Sequence, residues 1–326
     1  MSGPRPFRFA TSGSRSADRS ALVATARNAE RLGYSTFAFG DHFMLSLAPL
    51  IALQAVADAT TTLRLTQTVL NHDLRHPAVL AKELATLDLL SGGRVEVGIG
   101  AGWMREEYEQ AGIPFDNASI RIERLEEVVV ILKGLFADAP FSFSGKHFTI
   151  TSLDGTPKPA QQPGPPIMIG GGGRKLLSVA GRRADIVQIM PTLSGGTLSV
   201  DTRHFTADAY EDKLGWVRDA ARERFGDIEL GVQLLNVTIT NRPHDALDSF
   251  VREYTAMIER LGGQLDTARV SADELITAPV VAIGTLDQVC EKLVQTREKF
   301  GFSYFAAPVG SAPELMRPVI ERLGGN

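Results

Sequence analysis

"LRLTQTVLNHDLRHPAVLAKELATLDLLSGGRVEVGIGAGW", residues 63–103, carries the pattern on which the fold turns. Its two ends, "LRLTQTVL" (63–70) and "RVEVGIGAGW" (94–103), are short runs rich in apolar and β-branched residues, the composition of buried strands. Between them "HPAVLAKELATLDLLSGG" reads as a helix, with Pro77 in its first turn and a stop at Gly92 and Gly93. Both are favoured terminal choices, because proline lacks the amide hydrogen that a first turn leaves unused and glycine accepts the backbone that ends a helix. The stretch is therefore strand, helix, strand.

The same alternation extends in both directions. "FRFATSG" (7–13) and "STFAFGDHF" (35–43) are strands upstream, each followed by a helix, from Asp18 to Leu32 and over "PLIALQAVADATT". After the fourth strand comes the helix "RIERLEEVVVILKGLF", with Gly134 near its end. Downstream follow "PIMIGGGG" (166–173), "DIVQIMP" (185–191), "ELGVQLLNVTIT" (229–240) and "FSYFAAPV" (302–309) as strands five to eight. Their helices read as "KLLSVAGRRA", "LGWVRDAARERF", "HDALDSFVREYTAMIERLG" and "APELMRPVIERLG". Alternating strands and helices imply a parallel sheet covered on both faces, and eight repeats in one chain imply a closed (β/α)8 TIM barrel. Residues 1–326 are expected to form this single α/β domain.

Two stretches interrupt the rhythm. Residues 137–166, between the fourth helix and fifth strand, hold two alternating runs around Ser144-Gly145, a hairpin signal, then a Pro-rich return. Residues 192–213 are rich in Gly, Ser and Thr and read as a lid or a plain surface loop.

Composition narrows the function. With 44% apolar residues and a net charge of -4, the chain has a large core and no basic footprint, so nucleic acid is not an expected partner. Cys290 is the one cysteine, too few for an internal disulfide, and no metal site is expected. His72 and His76 stand without convergent ligands, and Glu106-Glu107 and Glu126-Glu127 read as helix-face charges. No run has the length and apolarity of a signal peptide or a membrane span, so a cytoplasmic location is expected.

In such barrels the site lies at the carboxyl ends of the strands. That mouth would collect Asp41 and His42, then Thr68, Val69 and Asn71, then Gly98, Gly100, Gly102 and Trp103, and finally Gly170, Gly171, Gly172, Gly173 and Arg174. The four-glycine run before a helix suits an anion, because bare backbone N–H groups and a helix N-terminus face it and Arg174 adds charge. The competing reading is a tight turn needing positive φ. The glycines of "GIGAGW" would let a flat ring approach, or else serve close packing within the barrel. Asp41-His42 is a helix cap, or a histidine tuned by a carboxylate for proton transfer.

"FGDHF", "TQTVLNHDLRHP", "ATLDLLSGGRVEVGIGAGW", "GIPF", "IMIGGGG" and "VAIGTLDQVCEKLVQTREKFGFSYFAAP" together resemble the bacterial luciferase-like superfamily, in particular its branch of oxidoreductases dependent on the deazaflavin coenzyme F420. The resemblance covers nearly the whole chain. It implies a flavin-like ring at the mouth, its phosphate at Gly170–Gly173 and Arg174, and the ring beside Gly100, Ala101 and Gly102. It also implies an acid-histidine pair, Asp41 and His42, near the reactive face, and a non-proline cis peptide at Thr68-Val69. Where deazaflavin sugar-phosphate dehydrogenases of the superfamily carry a glutamate proton donor, this sequence has Trp103, so a sugar phosphate is not the expected substrate.

The resulting expectation is an F420-dependent oxidoreductase acting on a small organic molecule, with His42 oriented by Asp41 and a substrate pocket of Phe43, Trp103 and Met190. The alternatives are an FMN-dependent monooxygenase of the same fold, served by a flavin reductase, and a non-catalytic flavin-binding barrel. The resemblance also implies a homodimer.

Overall fold

The computed structural model describes residues 5–13, 18–44, 47–193, 196–267 and 270–325. Eight parallel strands form a closed barrel: β1 (Arg8–Ser12), β2 (Thr36–Phe39), β3 (Arg64–Gln67), β4 (Val95–Gly100), β5 (Ile167–Gly171), β6 (Ile186–Ile189), β7 (Glu229–Gln233) and β8 (Phe302–Ala306). Each pairs with its sequence neighbours, and β8 returns to β1 with Phe305 opposite Phe9. All eight expected strands are present. β3 is broken after Gln67 and resumes as Leu70–Asn71 against Ile99 and Gly100 of β4. The peptide at the break, Thr68-Val69, is cis, as the resemblance implied.

Around the barrel run α1 (Arg19–Arg31), α2 (Pro49–Ala59), α3 (Pro77–Leu90), the short α4 (Arg105–Gln110), α5 (Ala118–Phe136), α6 (Arg174–Arg183), α7 (Ala207–Ala221), α8 (Pro243–Arg260), α9 (Ala272–Thr277), α10 (Leu286–Phe300) and α11 (Arg317–Leu323). Local chemistry sets their ends. Asp18 caps α1 by accepting from the amides of Ser20 and Ala21. Thr285 and Gln288 form a capping box at α10, whose C-cap, Gly301, adopts φ +79°. Their apolar faces, such as Leu53, Leu84, Val128 and Leu132, are fully buried against the strands.

The barrel interior is layered. At the amino ends of the strands Arg8 pairs with Glu96 and with Glu229 (2.7 Å), Arg64 pairs with Glu96 (2.5 Å), and Arg8 lies 4.4 Å from the centre of the Tyr304 ring. Ala10, Met168, Ile186, Tyr304 and Ala306 form a second inner cluster, against which Val69 packs.

Three readings are corrected. The seventh "strand" is two: Glu229–Gln233 stays in the barrel, while Asn236–Ile239 leaves it to pair with Val281–Gly284. A continuous apolar run does not reveal a bend, since the two halves pair with different strands. The sixth helix starts at Ala207 rather than Leu214, because the Thr206 side chain caps it by accepting from the Ala209 amide. That shortens the 192–213 stretch, which also contains a strand pairing of Val200–Asp201 with Leu265–Asp266. The 137–166 insertion does contain the expected hairpin, Phe141–Ser144 against Thr149–Leu153, and Glu127 of α5 binds the backbone amides of Lys146, His147 and Phe148 at its turn.

Candidate active site

At the carboxyl end of β2 the backbone delivers Asp41 and His42 side by side, yet they serve different partners. Asp41, 8% exposed, receives both guanidinium nitrogens of Arg75 (2.6 and 3.1 Å) and the Asn71 amide (3.0 Å). This bidentate pair ties the end of β2 to the segment after β3. The carboxylate that meets His42 is Glu107, on α4: Nδ1 lies 2.8 Å from Oε2, and Oε1 accepts from the Phe43 amide at 2.9 Å. The expectation that Asp41 orients His42 is thus corrected, because Asp41 is already committed to Arg75. Glu107 is buried while its neighbour Glu106 is exposed, so a pair read as surface charge contains a site carboxylate. A carboxylate only accepts, so Nδ1 carries the hydrogen and Nε2 is the basic nitrogen of the neutral ring.

Trp103 stands edge-on to His42, with ring centroids 5.5 Å apart, and is half-buried; Phe43 is 59% exposed at the rim. The segment carrying Trp103 is braced from below. Arg121 donates to the Ala101 carbonyl (3.0 Å) and the Gly102 carbonyl (3.3 Å), and its guanidinium lies 4.0 Å from the Phe115 ring centre. Tyr108 donates to Asn71 (2.8 Å) and Asp73 (3.0 Å). His72 is buried beneath this network with Nε2 2.9 Å from the Arg121 carbonyl, and burial pushes its pKa down to about 4.

The glycines divide by role. A Cβ on Gly100 would lie 2.5 Å from Val69, and one on Gly170 would lie 3.0 Å from it, so both make room for the Val69 side chain at the top of the barrel interior. Close packing is therefore the reading the geometry favours for Gly100. Gly102 has φ +69° and sits against the Tyr108 hydroxyl. In the run after β5 none of Gly170 to Gly173 has positive φ, which removes the tight-turn explanation. Gly172 is needed because a Cβ would strike the Met190 carbonyl at 2.4 Å. At Gly173 no described residue lies within 4 Å of that position, which leaves a cradle at the N-terminus of α6. Among the described residues no side chain caps the α6 N-terminus. Arg174 beside it is exposed and makes no ion pair with a described residue, whereas Lys175 turns away to Ser119 and Glu123 of α5. Open space, uncapped amides and an unengaged guanidinium fit a phosphate.

The barrel and the residues at its mouth are those of a luciferase-like fold, and the family comparison agrees. The luciferase-like monooxygenase family model matches residues 5–304, and the chain belongs to that family. It is 38% identical over 109 residues to an FMNH(2)-dependent dimethylsulfone monooxygenase of Pseudomonas putida, covering 33% of this chain and 30% of that one. It is 31% identical over 172 residues to an F420-dependent glucose-6-phosphate dehydrogenase of Amycolatopsis mediterranei, covering 50% of this chain and 51% of that protein. The chain thus matches from under a third to about half the length of these relatives. The coenzyme F420-dependent tetrahydromethanopterin reductase of Methanopyrus kandleri shares the fold, with a TM-score of 0.76 and 19% identity over 98% of this chain and 99% of that one. Partial matches to this chain thus include both an F420-dependent and an FMNH(2)-dependent enzyme. Among the described residues no helix is long and apolar enough to cross a membrane.

Proposed function

We propose that this enzyme is an F420-dependent oxidoreductase that moves hydride between the deazaflavin and a small organic substrate. When bound, the deazaflavin supplies the carbon that gives or takes the hydride. The observation that carries the reading is the His42 imidazole held through Nδ1 by buried Glu107, beside the aromatic wall of Trp103. Glu107 fixes the tautomer, so Nε2 of His42 exchanges the proton that accompanies hydride transfer. Arg174, the Gly173 cradle and the α6 amides hold the phosphate. Val69, at the top of the barrel interior, would meet the ring, and Phe43, Trp103 and Met190 would line the substrate pocket. Asp41 acts at one remove, keeping the segment after β3 in place through Arg75.

The match to the dimethylsulfone monooxygenase favours a second reading, in which reduced FMN arrives from a reductase and reacts with oxygen. The test is turnover with a panel of small alcohols, ketones and enones under anaerobic conditions. A stoichiometric change in the deazaflavin's visible absorbance supports hydride transfer. Oxygen uptake coupled to reduced FMN, with no anaerobic deazaflavin turnover, supports the second reading instead.

A further inference from the structure

Lys213, on α7, is 1% exposed. Its ammonium donates to the Met190 carbonyl (3.0 Å) and the His204 carbonyl (3.1 Å) and lies 4.6 Å from the centre of the Tyr210 ring. Among the described residues no carboxylate pairs with it. An ammonium out of water without a counter-ion is expensive, and burial holds its pKa down to about 7.

Its main partner explains the placement. The Met190 carbonyl is the atom against which Gly172 is pressed, and the neighbouring backbone is stitched to the same turn. The Met190 amide donates to the Gly171 carbonyl at 2.9 Å, and the Thr192 hydroxyl donates to the Gly172 carbonyl at 2.9 Å. The buried amine therefore reaches the glycine turn through the Met190 carbonyl.

We infer that Lys213 is a positioning residue for the phosphate-binding turn: its amine donates to the Met190 carbonyl and so fixes it against Gly172, and a bound phosphate favours its charged form. This rests on the reading of Gly170–Arg174 as the phosphate site.

The test compares affinities for FMN and riboflavin, and for F420 and its phosphate-free riboside, in wild type, Lys213→Met and Lys213→Gln. The ring-only ligands serve as the control for a folded mouth. Wild type is expected to prefer the phosphorylated member of whichever pair binds. Both variants are expected to lose about tenfold of that preference while keeping affinity for the ring-only ligand. No phosphate preference in wild type overturns the phosphate-site reading and the inference with it. Preference in wild type that both variants retain overturns the role of Lys213 alone. Equal weakening of both members by both variants makes Lys213 a fold-stabilising residue only, which also overturns it.

Discussion

Replacing Glu107 by glutamine tests the His42–Glu107 pair with almost no change of shape. The two carboxylate oxygens accept from two donors, Nδ1 of His42 at 2.8 Å and the Phe43 amide at 2.9 Å. A glutamine offers one acceptor and one donor. The Phe43 amide can only donate, so the glutamine oxygen must turn to it and the NH2 group must face Nδ1. The imidazole is then driven to the other tautomer, with hydrogen on Nε2, and loses its proton-accepting atom at the mouth. The lost bond is charge-assisted and part-buried, worth about 1.5–3 kcal/mol, which is roughly 10- to 150-fold in a step that needs the imidazolium. Long-range proton–nitrogen correlation NMR of the imidazole reads the tautomer without a known substrate. Wild type should show hydrogen on Nδ1 and Glu107→Gln hydrogen on Nε2. Hydrogen on Nδ1 in both proteins would refute the reasoning.

Adjacent glycines should respond oppositely. Gly172→Ala forces a Cβ onto the Met190 carbonyl and should destabilise the fold by about 1–3 kcal/mol in chemical denaturation, whereas Gly173→Ala meets open space and should leave stability unchanged. Both should weaken phosphate-bearing ligands, so a Gly173→Ala enzyme with full affinity would contradict the cradle. His72 gives a pH dependence. Its pKa is about 4 in the fold against 6.5 when free, so below pH 6.5 the unfolded chain takes up a proton that the native state refuses. Stability is complete above pH 6.5 and falls by about 3 kcal/mol as pH drops to 4. His72→Gln should flatten this part of the stability curve relative to wild type; parallel curves would show that His72 takes up its proton at the same pH in the fold as in the unfolded chain.

The barrel was legible because strand and helix leave different periodicities, and punctuation such as Pro77 and Gly92-Gly93 separates them. Positions at the strand ends could be collected for the same reason. Pairings across the mouth could not be read, since they depend on side chains brought together by the barrel. Asp41 and His42 are neighbours in sequence but are claimed by Arg75 and Glu107, 34 and 65 residues away. Glu106 and Glu107 look alike in sequence, and only the docking of α4 decides which is buried. Lys213 lies in a polar stretch that reads as loop until Thr206 is seen to cap a helix. The glycine run was assigned to an anion for a local reason, absence of Cβ. Which glycine serves packing and which leaves space depends on Met190 from the next strand.

The most direct measurement is a fluorescence titration of the purified protein with F420 and with FMN, each oxidised and reduced. The account predicts tighter binding of F420, weakened by Arg174→Ala. Tighter binding of reduced FMN, with F420 bound weakly or not at all, would contradict it.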